Sequence, residues 1–292
     1  MKNTTFPKKK PVEFPPPTSS QAEAVFSELQ ARMAVDFRPY KFPTIRRRVE
    51  RRMSLLKVGG YDPYLAYLKR HPEEVKRLYH DVLIHVTNFF RDPEIFDVLA
   101  GKVFPALTKG RSDSVRVWVP GCCTGEEVYS IAIAFIEHVE KTRQTISIQL
   151  FGTDISEPAL EKARSGVYPA AIAKDVPKGR LERFFTPAGD GYQIRKFVRD
   201  LCVFARQDLT KDPPFSKLDL ISCRNVLIYF DQPLQQRILP VFHYALKPGG
   251  FLLLGKSEAV TGALFEPIDK RGNLYVRKPG PPRPPFKFDA SA

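Results

Sequence analysis

No stretch of this sequence stays apolar for the ~20 residues a membrane-spanning helix needs, which argues against a helical span. The N-terminus, MKNTTFPKKKPVEFPPP, lacks the apolar centre of a secretory signal. Cysteine is scarce: Cys122, Cys123, Cys202 and Cys223 form no CxxC pair, so a disulfide scaffold is excluded and free thiols in a reducing cytoplasm are expected. The five histidines include no i,i+4 pair and none near a cysteine pair, so no metal is expected. Negative charge is the other shortage. Against 46 Lys and Arg stand 32 Asp and Glu, a formal net charge of +14 that favours an acidic partner.

What is present points to a soluble globular chain of 292 residues with one large domain and a smaller one. Residues 1–20 and 279–292, rich in Pro and basic residues, read as disordered tails. Residues 21–82 read as helical throughout. In FPTIRRRVERRMSLL, Ile45, Val49, Met53 and Leu56 share one helical stripe. On its other faces Arg47 stacks on Arg51, and Arg48 on Arg52, at i,i+4. Such like-charge stacking fits either a solvated face or a surface that docks on an acidic partner. From 83 to 278 short apolar strands alternate with helices: SVRVWVP, ISIQLFGTD, LCVFARQD, LDLISCRN and FLLLG. That alternation predicts an α/β domain with an open parallel sheet, preceded by an all-α domain.

Ligands of such sheets lie at the carboxyl ends of the strands, near the point where strand order reverses. VWVPGCCTGEEVYSIAIAF, residues 117–135, places a tight turn there, with Gly121 and Gly125 followed at once by Glu126 and Glu127. A phosphate-binding loop would need Lys after the last glycine, and the dinucleotide fingerprint a third glycine. Two carboxylates would also repel a pyrophosphate. S-adenosylmethionine carries a sulfonium, an ammonium and one carboxylate, and suits bare backbone beside a glutamate better. Asp154 ends the next strand, where a carboxylate meets ribose hydroxyls, although it or Ser156 would equally cap the following helix. Asp208 ends the third strand, towards the adenine edge. ALKPGGFLLLG then reads as a helix, a Pro-Gly-Gly reversal and a buried strand.

In this order the motifs resemble those of the CheR-type protein-glutamate O-methyltransferases, which modify chemoreceptors in bacterial adaptation. The likeness rests on HVTNFFRDPEIF (85–96), GCCTGEEVYSIA (121–132), FGTDIS with ALEKARSGVY (151–168) and CRNVLIYFD (223–231), with FRPYKFPTIRRRVERRM matching the helical domain. It implies a Rossmann-like S-adenosylmethionine-dependent methyltransferase sheet with a small inserted β-subdomain, about 184–200. It also implies esterification of receptor glutamates with release of S-adenosylhomocysteine, and no metal. By resemblance, Arg91 and Tyr229 are the active-site residues. The cofactor set is His85, Thr87, Arg91, Gly121, Glu127, Asp154, Asp208, Leu209, Asn225 and Val226. Glu127 would meet the ammonium, Asp154 the ribose and Asp208 the adenine. His85 stands where many relatives have Asn, and Cys123 where Ser is common.

A glutamate is ionised at neutral pH, so the transfer needs no general base; the acceptor needs orientation behind the methyl carbon. The basic helix, with Arg46, Arg47, Arg48, Arg51 and Arg52, would dock on the Glu-rich cytoplasmic helices of a chemoreceptor or a related signalling protein. A monomer in the cytoplasm is expected, without membrane insertion. KDPPF (211–215) is similar to the tetrad of adenine amino-methyltransferases, but it precedes the fourth strand instead of following it. No aromatic interleaves the arginine run as nucleic-acid stacking would require, so no nucleic-acid partner is expected. The alternatives are a module that binds S-adenosylmethionine and reports it without catalysis and, behind it, a nucleic-acid methyltransferase.

Overall fold

A computed structural model describes residues 14–83, 86–111, 113–260, 262–269 and 271–280. Two compact units divide the chain, residues 1–84 and 85–292. Among the described residues no helix is long and apolar enough to cross a membrane.

The first unit holds helices α1 (Ser19–Met33), α2 (Phe42–Leu56), α3 (Tyr61–Arg70) and α4 (Pro72–Val82). Helix α1 begins inside the stretch expected to be a disordered tail. The reason is a capping box: Thr18 accepts from the Gln21 N–H, and the Gln21 side chain accepts from the Thr18 N–H. On α2 the apolar stripe faces inward, with Ile45, Val49 and Met53 buried. Glu74, in the first turn of α4, is only 1% exposed. It accepts from Arg52 at 2.8 and 2.6 Å and from the Tyr64 hydroxyl at 3.0 Å. A buried carboxylate needs such partners.

The second unit begins with α5 (Pro93–Val98), continued by a π turn (Leu99–Val103) into α6 (Phe104–Thr108). Then come β1 (Val115–Pro120), α7 (Glu126–Lys141), β2 (Ile148–Asp154), α8 (Glu157–Ser165) and β3 (Val167–Pro169). Helix α9 (Lys178–Phe184) leads into β4 (Phe185–Ala188), β5 (Gly191–Ile194) and α10 (Lys196–Arg199). The chain closes with β6 (Cys202–Arg206), β7 (Leu218–Cys223), α11 (Gln232–Ala245), β8 (Leu246–Leu254), β9 (Phe265–Asp269) and β10 (Leu274–Arg277).

Seven strands form one sheet in the order β6-β2-β1-β7-β8-β10-β9. The first five run parallel, and β10 and β9 turn antiparallel at the far edge. Every residue of β7 is buried, as expected for a parallel strand covered on both faces. The order reverses at β1, which pairs with β2 on one side and β7 on the other, so a crevice opens beyond their carboxyl ends. At Pro248-Gly249-Gly250, expected as a reversal before the last parallel strand, Gly249 takes φ 75°. β8 begins at Leu246 and runs through it, and the register against β7 slips between Leu218 and Leu220.

A second sheet, β3-β5-β4, is antiparallel. It draws its third strand from Val167–Pro169, upstream of the 184–200 stretch. Tyr168 and Phe185 of this sheet pack edge-on against Phe89, with ring centroids 4.9 and 5.3 Å away. KDPPF belongs to the connection from β6 to β7. There Phe215 stacks on Phe151 at 4.6 Å and meets Trp118 edge-on at 5.8 Å, covering the sheet as core.

Candidate active site

Three loops converge beyond the carboxyl ends of β1 and β7, and each contains non-glycine residues in the left-handed region. Phe90 (φ 51°) and Asp92 (φ 55°) flank Arg91, Cys123 (φ 52°) lies in the turn after β1, and Asn225 (φ 60°) in the loop after β7. Such conformations are costly and persist where the surroundings enforce them, commonly at functional sites.

The turn after β1 is held by the end of β2. Asp154 accepts from the Cys123 N–H through Oδ2 and from the Ser156 N–H through Oδ1, both at 2.9 Å. Ser156, the N-cap of α8, makes no side-chain cap bond, and its hydroxyl oxygen is buried without a hydrogen-bond partner. Asp154 is therefore tied to the site's own backbone, beside a polar atom left unsatisfied. The glycines of this turn are demanded by neighbouring protein. A Cβ on Gly121 (φ 66°) would lie 2.5 Å from Val226 of the β7 loop, and one on Gly125 (φ 91°) 2.9 Å from Ala163. Burial pushes the Cys122 thiol far up and that of Cys123 up to about 12, so neither serves as a nucleophile.

Glu127, in the first turn of α7, accepts from the Ser222 hydroxyl at 2.7 Å and from Arg224 at 3.1 Å. Burial, foremost, raises its carboxyl above the ordinary range, while Arg224 and Ser222 pull the other way. A partly compensated carboxylate of this kind favours an added cation. Arg224 also donates to the Asp92 carboxylate at 2.5 Å and to the Arg91 carbonyl at 3.1 Å. The same guanidinium thus fixes the loop carrying Arg91. That loop is further held by the Phe90 N–H, which donates to the Ser130 hydroxyl of α7 at 3.0 Å, and by Arg180, whose guanidinium lies 4.2 Å over the Phe90 ring. Arg91 itself reaches back to the Val86 carbonyl at 3.1 Å. Thr87 is half-buried in the extended segment just before, and His85 lies outside the described residues.

After β7, Asn225 and Val226 donate their N–H groups to Glu258, and Leu227–Tyr229 form a short 3-10 turn. The side-chain oxygen of Asn225 is buried without a hydrogen-bond partner. Asp208, beyond β6, is buried and occupied within its own turn, accepting from the N–H and hydroxyl of Thr210 at 2.9 and 2.6 Å. Leu209 beside it is half-buried.

The expected residues therefore divide. Gly121, Glu127, Asn225 and Val226, with the Arg91 loop, are joined at the switch point by hydrogen bonds or close contact, and Asp154 reaches them through Cys123. Asp208 and Leu209 stand apart, at the outer strand. Sequence reasoning missed Arg224, Ser222 and Glu258. Arg224 lay inside a quoted motif, and burial is what reveals its part. Nothing near Glu258 in the sequence marks it.

Of the five arginines expected to dock, Arg52 lies mostly buried, with its side chain 13% exposed. It is spent inside the helical unit on Glu74, because the buried carboxylate there needs its charge. Arg46 pairs with Glu50 on its own helix at 2.7 Å, and the Arg48 Nε is buried. Arg47 and Arg51 face outward, Arg51 lying 3.6 Å from Asp81.

The residues present fit S-adenosylmethionine. Glu127 offers a cation partner, the β2 end a carboxylate, and Ser156 and Asn225 unsatisfied oxygens. A family model described as CheR methyltransferase, SAM binding domain, matches residues 85–271, and one described as CheR methyltransferase, all-alpha domain, matches residues 21–83. Similar proteins include an uncharacterised 104.1 kDa protein of Rhodobacter capsulatus, 43% identical over 273 residues, covering 86% of this chain but 28% of that protein. The chemotaxis protein methyltransferase of Borreliella burgdorferi is 33% identical over 227 residues, covering 73% of this chain and 80% of the relative. Chemotaxis protein methyltransferase 2 of Vibrio cholerae is 30% identical over 248 residues, with 82% of each chain covered.

Proposed function

The chain belongs to the CheR family of S-adenosylmethionine-dependent methyltransferases, and from that premise we propose that it esterifies glutamate side chains of chemoreceptor proteins, with release of S-adenosylhomocysteine. The observation that carries the proposal is the convergence at one switch point of Glu127 and the loops bearing Arg91 and Tyr229, linked through Arg224 and Glu258.

When bound, S-adenosylmethionine supplies a methyl group on a sulfonium. Glu127 holds the ammonium end, Asp154 the ribose hydroxyls, and Asp208 with Leu209 borders the adenine. Thr87, Gly121, Asn225 and Val226 line the space between. Arg91 orients the incoming carboxylate with its guanidinium fork. Tyr229 directs the same group with its hydroxyl. No residue takes a proton, because the acceptor is already ionised.

The exposed Arg47 and Arg51 of α2 supply the positive face for an acidic helical partner. Each ester removes one negative charge from that partner.

The test supplies methyl-labelled S-adenosylmethionine and chemoreceptor-rich membranes, then treats the labelled product with mild alkali. Volatile labelled methanol is expected, the signature of a carboxyl methyl ester. Base-stable label would mean methylation at nitrogen and would overturn the proposal.

A further inference from the structure

The loop after β7 carries Asn225, Val226 and Tyr229, yet what holds its shape comes from a residue 33 positions beyond Asn225. Glu258 is 6% exposed. Through Oε2 it accepts from the Gly255 N–H at 2.6 Å and the Asn225 N–H at 2.9 Å. Through Oε1 it accepts from the Val226 N–H at 2.8 Å and the Ile228 N–H at 3.3 Å. Three of the four backbone donors, Asn225, Val226 and Ile228, belong to this loop, and the fourth, Gly255, ties the same carboxylate to the end of β8. The carboxylate is braced in turn: Asn273 donates to the carbonyls of Gly255 and Glu258 at 2.7 and 2.8 Å. A Cβ on Gly255 would lie 2.8 Å from the Glu258 carboxylate and 2.9 Å from the Asn225 nitrogen, so only glycine lets the strand end approach.

Asn225 has φ 60°, a left-handed conformation that asparagine tolerates better than most residues. Its side-chain oxygen is buried and unsatisfied. The loop thus presents an unmet acceptor on a left-handed residue, and Glu258 holds the backbone on which both sit.

We propose that Glu258 is a positioning residue of the methyl transfer: its carboxylate sets the 225–228 backbone, and through it the placement of Asn225 and Tyr229. This rests on the proposed methyl transfer, in which those two residues face the reacting groups.

Glu258→Gln keeps the size but turns one acceptor into a donor facing N–H groups. Glu258→Asp keeps both acceptors on a shorter stem. The measurements are kcat and acceptor KM with labelled S-adenosylmethionine and receptor membranes, thermal melting, and hydrogen exchange over 224–229. For Glu258→Gln, kcat is expected to fall ~100-fold, the scale for a misplaced reacting group, with acceptor KM within ~3-fold and melting still above the assay temperature. Exchange should quicken at 225–228 and not elsewhere, and Glu258→Asp should fall between. A merely structural role would lower the melting temperature and leave kcat at the wild-type value, which would overturn the proposal. If Glu258→Gln does not fold, Glu258→Asp decides: wild-type kcat in that variant overturns it, and a ~10-fold fall with faster exchange upholds it. If the wild-type protein forms no ester at all, the methyl-transfer reading fails. Exchange alone then judges Glu258, and unchanged protection at 225–228 would overturn its role.

Discussion

Arg224 donates to Glu127 at 3.1 Å from the opposite side of the switch point, linking the end of β7 to the start of α7. Its side chain is 1% exposed and reaches Asp92 and the Arg91 carbonyl as well. A guanidinium so buried is sustained only by its acceptors, and removing it leaves two carboxylates short of a partner. Arg224→Met is expected to lose about 3–5 kcal/mol of unfolding free energy and most cofactor binding. Arg224→Lys keeps the charge without the fork and should lie between. Denaturant titration and calorimetry with S-adenosylmethionine check both; full cofactor affinity in Arg224→Met would detach Glu127 from the site.

The roles of Arg91 and Asp154 separate on their contacts. Asp154 accepts from the Cys123 N–H of the turn after β1 and from the Ser156 N–H at the start of α8, whereas Arg91 donates to the Val86 carbonyl at its own loop's start. Asp154→Ala should weaken cofactor binding roughly 10- to 100-fold, the scale of lost hydrogen bonds to a charged group. Arg91→Ala should cut transfer by about 100-fold or more while cofactor affinity changes less than ~10-fold. Equal loss of affinity in the two variants would remove the division.

Glu127 gives the site a pH dependence. Burial raises its carboxyl above the ordinary 4.5. Only the ionised form attracts an ammonium group, so cofactor affinity should fall with acidification through that raised value, earlier than for an ordinary glutamate. For the protein without cofactor the sign is opposite. A raised folded pKa contributes stability below the unfolded value and loses it as pH rises through the folded one. Calorimetric titrations carried from neutral pH towards acid should show the fall in wild type and a flat profile in Glu127→Gln. A wild-type profile without slope would assign the ammonium to another group.

The sheet was legible because its strands are short, apolar and spaced by helical stretches; all five expected parallel strands form, in an order that places the glycine turn at the switch point. The positions of Glu127, Asp154 and Asn225 at strand ends were legible too, since Glu127 and Asn225 follow a strand closely and Asp154 ends one. What stayed hidden depends on long-range pairing. Nothing beside Glu258 in GKSEAV marks it, and the pairing of β8 with β7 is what brings it to the loop after β7. Arg224 reads as one more positive charge until its burial shows three acceptors. Gly121 was expected to make room for a ligand, and the structure shows the nearer demand to be Val226. The antiparallel pair β9 and β10 lies inside the expected domain but was not among the strands read from the sequence.

The arginines of α2 make the last prediction, because the same helix carries two kinds of charge. Arg47 and Arg51 are exposed, and the nearest carboxylate to Arg51, Asp81, is 3.6 Å away. Exposed pairs at that distance contribute little to stability, so replacing both with Ala should leave the melting temperature nearly unchanged. If they meet an acidic receptor helix, the double variant should raise the acceptor KM several-fold at low salt, and the difference from wild type should shrink as salt screens the interaction. Cofactor affinity should not move. Arg52→Ala should do the reverse. It strands Glu74 in the core beside Tyr64, so stability falls by about 3 kcal/mol while acceptor KM, measured where the variant is folded, stays near wild type. A salt-insensitive KM in wild type, or equal KM in the Arg47 and Arg51 double variant, would leave α2 as a solvated face.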